Sequence, residues 1–259
     1  MQKRDDAKDL QRRRGPASLL CCGVTGIGRM GIERVYRRFV HKEAVFEICC
    51  ERFDAVVEEI VRQRELLEEY IAVHGEFASS LAPVECRCEA PEAARQMAWA
   101  GRLAGTGPMA AVAGAMAQRA AVAGLEAGAE EAIVDNGGDI YIKAVRAVTI
   151  RLYTGGTQLG GRLAFAIRPE DTPVAVCSSS GRMGHSLSLG DCDLATVVAR
   201  DGALADAAAT RAANMVRAEN DIDEALEAVA SIDGVEGVLI VKNERIGLAG
   251  HLPPLAKVM

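Results

Sequence analysis

The chain has 259 residues, 49% of them apolar and 25% charged, which suits one large domain or two small ones able to bury a core without disulfide or metal staples. Aromatic residues make up only 4%, so Ala, Val, Ile and Leu must build that core. A net charge of −6 lacks the basic footprint of a general nucleic-acid binder, and disordered, collagenous and mucin-like classes do not fit these proportions.

The first residues are basic (Lys3, Arg4, Arg12, Arg13, Arg14) and lead into the short apolar run Ala17-Ser18-Leu19-Leu20-Cys21-Cys22. That run is too short for the apolar stretch of a signal peptide. Residues 1–29 therefore read as a disordered leader or a start-site extension before Met30, and 30–259 as a single domain. Val35–Val40 and Val45–Cys50 predict two strands joined by a turn at His41–Glu43. Phe53, Val56, Val57, Ile60, Leu67 and Ile71 recur at helical steps and predict one long helix. Gly75 and Pro83 punctuate a loop, and Pro91 starts a further helix.

From Gly105-Thr106-Gly107-Pro108 the chain enters an Ala/Gly-rich helix with almost no polar face, which must be buried on most sides. Pro108–Leu125 is the most apolar stretch, yet it contains Gln118 and Arg119 and is too weakly apolar to span a bilayer. No membrane association is expected.

The period then shortens. Ala132–Val134, Ile140–Ile142, Val145–Tyr153, Leu163–Ile167, Val174–Cys177 and Leu194–Ala199 predict short strands. Helices follow at Ala203–Arg217 and Asp221–Ser231, and a terminal hairpin at Gly237–Val241 and Ile246–Ala249. This order predicts an α+β domain, helices packed on a largely antiparallel sheet with a buried Ala/Gly-rich central helix. Open sheet edges make a homodimer the expectation on general grounds. The eight cysteines include the adjacent pairs Cys21-Cys22 and Cys49-Cys50 and no C-x2-C spacing. They read as reduced, small apolar residues of a cytoplasmic protein rather than disulfides or a zinc site.

Four clusters carry candidate chemistry. Asp135-Asn136-Gly137-Gly138-Asp139 contains a hairpin-turn dipeptide, Asn136-Gly137. It also sets two acids around a second glycine, where backbone can approach a ligand closely. Cys177-Ser178-Ser179-Ser180-Gly181 runs a strand into three hydroxyls and a glycine, a combination able to cradle an anion; His185 follows as a candidate acid or base. In Ala205-Asp206-Ala207-Ala208-Ala209-Thr210 a carboxylate and a hydroxyl share one helix face. These are hard oxygen donors suited to Mg2+ bridging to a phosphate, or simply a helix-dipole partner and a back-bonded threonine. Gly105-Thr106-Gly107-Pro108-Met109 offers a helix N-terminus that attracts anions and equally reads as a plain start signal.

In this order the clusters resemble the ApbE superfamily, whose best-known members are Mg2+-dependent FAD:protein FMN transferases. Asp135–Ile140, Ser179-Ser180-Gly181 through Gly184-His185-Ser186, and Ala205–Thr210 are most similar to its branch named uncharacterised protein family 0280, over residues 30 to 250. The resemblance implies an ApbE-like α+β fold and a cleft for FAD, FMN or a related nucleotide or phosphate ligand. It implies Mg2+ on Asp206 and Thr210, with Asp206 and His185 as the catalytic candidates. Gly137, Gly138, Asp139, Ser179, Ser180 and Gly181 are the implied cofactor-binding residues. In its enzymatic form this is a nucleotidyl or flavin transferase. The alternative is a non-enzymatic accessory protein of sulfur assimilation and homocysteine formation that binds a metabolite or a sulfur-metabolism protein. The chain departs from the transferase pattern after His185, which precedes Ser186-Leu187-Ser188, and after Gly181, which precedes Arg182-Met183.

Overall fold

The computed structural model describes residues 22–25, 34–155, 162–181 and 190–257. Its strands are β1 Cys22–Thr25, β2 Arg37–His41, β3 Ala44–Cys50, β4 Ala132–Asn136, β5 Asp139–Lys143, β6 Val148–Leu152, β7 Leu163–Ile167, β8 Val174–Ser179, β9 Leu194–Ala199, β10 Val235–Lys242, β11 Arg245–Gly250 and β12 Leu255–Lys257. Its helices are α1 Phe53–Val73, α2 Gly75–Ser79, α3 Glu92–Ala104, α4 Val112–Glu126, α5 Gly202–Met215 and α6 Ile222–Ala230. A 3-10 turn, Pro108–Ala111, leads into α4.

Two sheets form. The larger runs β11-β10-β9-β8-β5-β4-β3-β2 and the smaller β1-β6-β7-β12, with antiparallel pairing at every described ladder. The α+β, antiparallel reading therefore holds. Cys22–Thr25, inside the stretch expected to be a leader, pairs with β6 as the edge of the smaller sheet. The short helix α2 and strand β12 were not expected, since five and three residues carry too little periodicity to register.

Alternation along the strands of the larger sheet divides the interior in two. Ala132, Val134, Tyr141, Ala175, Cys177, Ala195 and Val197 face the helices. Ile133, Ile140, Ile142, Val174, Val176, Leu194 and Val198 face the smaller sheet, where they meet Ile150, Leu152, Phe165 and Ile167. The molecule is thus a three-layer stack of helices, large sheet and small sheet. The helix α4 is the expected small-residue centre: Gly114, Ala115, Met116, Ala117, Ala120, Ala121 and Gly124 are buried. Cys49, Cys50, Cys86, Cys88, Cys177 and Cys192 are free thiols, and no described helix is long and apolar enough to cross a membrane.

Candidate functional site

The β4–β5 connection is a two-residue hairpin closed by Asn136 opposite Asp139. Gly137 (φ 71°) and Gly138 (φ 111°) occupy the two positive-φ positions, so the turn is centred one residue later than the Asn136-Gly137 dipeptide suggested. Glycine is needed at both because a Cβ is strained in that backbone region. The Asp135 carboxylate accepts the Gly138 N–H at 2.8 Å and fastens the turn.

The two acids around the glycines do not share a face. Asp135 follows Ile133 toward the smaller sheet and lies opposite Glu47 on β3. Burial pushes its pKa up to about 7 against the Gly138 hydrogen bond, with Glu47 adding to the rise. Asp139 instead lies on the helix side with Tyr141, opposite Cys177. A ligand loop using both carboxylates together is therefore not what this hairpin builds; strand pleating sends them to opposite sides.

On the helix side Asp139 meets Asp206. Asp201 caps α5 by accepting the Leu204 N–H at 2.9 Å, and Asp206 lies one turn further on. Its Oδ2 accepts the Gly114 N–H at 2.9 Å, and the Ala113 N–H also bonds the carboxylate. The first turn of α4 thus holds the side chain by the anion-attracting geometry of a helix start. The approach depends on glycine: a Cβ on Gly114 would lie 2.1 Å from the Gly202 carbonyl oxygen and 2.8 Å from the Asp206 Cβ. From the other side, Asn136 Nδ2 donates to the Ala113 carbonyl oxygen at 3.2 Å and ties the hairpin to the same helix start.

Asp139 and Asp206 are each only 8% exposed. Burial raises both carboxyl pKa values, and the nearby Asp206 raises that of Asp139 further, followed by Asp135. Among the described residues, no basic side chain is a leading cause of either shift. Asp139 Oδ1 is buried without a hydrogen-bond partner, as is Ser179 Oγ at the end of β8 on the same face. Thr210, also 8% exposed, follows Asp206 by one helical turn.

This donor set fits a divalent cation shared with a ligand. Two close buried carboxyls favour a cation between them, and an orphaned carboxylate oxygen offers a lone pair. Among the described residues no group of three His, Cys, Asp or Glu side chains forms a metal cluster. Mg2+ characteristically takes one or two protein carboxylates and completes its shell with water and phosphate oxygens.

The three serines diverge. Ser178 turns to the opposite face and shares a 2.9 Å hydrogen bond with the Thr196 hydroxyl. Ser180 Oγ donates to the Cys192 carbonyl oxygen, and the Gly181 N–H donates to the same oxygen at 2.8 Å. Ser180 and Gly181 thus fasten the two ends of the β8–β9 connection, and only Ser179 lies on the side of Asp139. His185 falls outside the described residues. The sequence reading missed the Ala113 and Gly114 N–H groups as the holders of Asp206. Their signal was the absence of bulk at the start of the Ala/Gly-rich helix.

A family model described as AbpE bacteria matches residues 41–247. A UPF0280 protein of Archaeoglobus fulgidus is 40% identical over 228 residues, covering 85% of this chain and 93% of its own. A UPF0280 protein of Methanosarcina acetivorans is 36% identical over 227 residues, covering 86% and 89%. Among solved structures, the ApbE protein of Thermotoga maritima matches with a TM-score of 0.52 at 13% identity, over 83% of this chain and 96% of that one. The apo flavinyl transferase ApbE of Pseudomonas stutzeri matches at 0.50 and 11%, over 85% and 96%. At these identities the structural likeness concerns the fold.

Proposed function

This chain belongs to the AbpE bacteria family, alongside the UPF0280 proteins, and from that premise we propose that it binds a flavin nucleotide or related phosphate ligand together with Mg2+ and acts as a transferase. The observation that carries the reading is the buried Asp139–Asp206 pair, its carboxyls raised by burial and, among the described residues, with no basic side chain as a leading counterweight. Ser179 lies on the same face at the same end of the large sheet, and all three side chains are buried, which supports an interior polar site rather than a surface patch.

Asp206, Thr210 and Asp139 would hold the cation. Bound there, Mg2+ would neutralise pyrophosphate charge and make the departing nucleotide a better leaving group. The Ala113 and Gly114 N–H groups fix one side of the Asp206 carboxylate, so its orientation is set before a ligand arrives. Ser179 Oγ, buried without a partner, donates to a ligand oxygen. Gly137 has no heavy atom within 4 Å of where a Cβ would stand, which leaves space for a ligand beside the hairpin backbone.

Calorimetry with FAD or FMN in the presence and absence of Mg2+ tests this. Asp206→Ala should abolish the Mg2+-dependent component of binding while the protein still unfolds cooperatively. Equal affinity in wild type and variant rejects the assignment.

A further inference from the structure

A second polar recess lies at the same end of the large sheet. The end of β10 lies beside the start of β9, the end of β8 and the start of β5, so Lys242, Ser179 and Asp139 share one end of the sheet. Lys242 follows Ile240 on the helix side. It opens into a recess of about 500 Å³ lined by Asp191, Arg217, Ala218, Glu219, Asn220, Lys242 and Asn243.

That lining sets two cations, Lys242 and Arg217, beside two carboxylates, Asp191 and Glu219. Lys242 is only 3% exposed. Its Nζ donates to the Asp191 carbonyl oxygen and to Asp191 Oδ2. An ammonium carries three protons, so one remains for a ligand. Arg217 is exposed and makes no ion pair among the described residues within 4.0 Å; its charge acts at longer range on Asp221, which accepts the Arg217 and Ala218 backbone N–H groups. Of the lining carboxylates, Asp191 is paired with Lys242, and Glu219 accepts through Oε1 from Asn243 Nδ2 at 2.8 Å. Arg245, just behind, is likewise taken by Asp223 and the Glu219 carbonyl oxygen. What the recess has to spare is a guanidinium, an ammonium proton and the Asn220 amide.

We propose that this recess is an anion subsite for a phosphate-class dianion, anchored by Lys242 from below and closed by Arg217 at the rim. A buried ammonium gives a short charge-assisted contact, and the planar guanidinium can meet two phosphate oxygens at once. The dianion is either free inorganic phosphate or the phosphate of a nucleotide monophosphate. The inference does not depend on the Mg2+ reading, because none of these residues belongs to the carboxylate pair.

The test is calorimetric titration of the full-length protein with inorganic phosphate and with AMP, in EDTA so that no divalent cation contributes. Arg217→Gln removes an exposed charge without emptying the core. Phosphate should bind wild type, more weakly as salt is raised, and Arg217→Gln should lose roughly tenfold in affinity while Arg217→Lys recovers part of it. Tighter binding of AMP than of phosphate identifies a nucleotide as the source; equal binding identifies free phosphate. Absence of phosphate binding by wild type, or affinity unchanged in Arg217→Gln, overturns the proposal. Because EDTA is present throughout, either result is separate from success or failure of Mg2+-dependent flavin binding.

Discussion

Asp139 and Asp206 lie 67 positions apart in the chain and are brought together by a strand start and a helix turn that both lean on the first residues of α4. Each keeps its proton more readily than an ordinary carboxyl because burial penalises the charge. A carboxyl whose pKa is raised by folding favours the native state most when protonated, and that contribution is lost as pH rises through the folded value. For Asp206 the window runs from about pH 4 to about 7. Asp206→Asn keeps an oxygen for the Gly114 N–H and cannot ionise. Its stability relative to wild type should therefore grow as pH rises across that window and level off above it, in urea unfolding followed at several pH values. A difference that stays constant with pH would mean that Asp206 titrates as a solvated carboxyl. Above pH 7, Mg2+ should narrow the gap by stabilising wild type alone.

The elements explain why these residues are small where they meet. Helix α4 lies under the large sheet and against α1, α3 and α5, and it carries Ala or Gly at nearly every buried position. At Gly114 and Gly202 the two backbones approach until each carbonyl oxygen stands where the other's Cβ would go, 2.1 and 2.5 Å away. Both obstacles are backbone, so neither can swing aside. Gly114→Ala should cost about 1–3 kcal/mol, measured by chemical denaturation. It should also weaken Mg2+-dependent ligand binding in the protein that remains folded, because the N–H groups that hold Asp206 must shift. Unchanged affinity in the folded fraction would show that the close approach serves packing alone. A polar seam beside this contact, with Gln118 Oε1 accepting from the Gly202 N–H and from Gln96 Nε2, fixes the crossing of α3, α4 and α5.

Across the whole molecule the large sheet separates two interiors with different tasks. The layer between the sheets is built from Val, Ile, Leu and Phe. The layer beneath the helices is rich in alanine and holds, at one end of the large sheet, the buried polar side chains of the candidate site. Phe165 is fully buried between the sheets, on the far side of the large sheet from Asp206. Phe165→Ala should lower stability by about 3–5 kcal/mol and leave ligand affinity of the folded protein unchanged, compared by unfolding and calorimetry on the same sample. A parallel loss of affinity would mean that the sheet transmits packing defects to the site.

The periodic parts of the fold follow from local residue pattern. Leu163–Ile167 and Leu194–Ala199 are strands over the expected residues, and the step pattern from Phe53 yields α1, because alternation and helical spacing are local consequences of having one buried face. The same local pattern puts Asp206 and Thr210 on one helix face, and motifs that keep their order along the chain identify the family. Tertiary structure alone decided which polar residues meet. Asp135 and Asp139 are nearly adjacent in sequence yet face opposite layers, and Ser178, Ser179 and Ser180 each find a different environment. Asp139 and Asp206, by contrast, come together across a fold. A side chain's neighbours are set by the pleat, the turn register and the closeness of backbones, and these become fixed only when sheet and helices pack against one another.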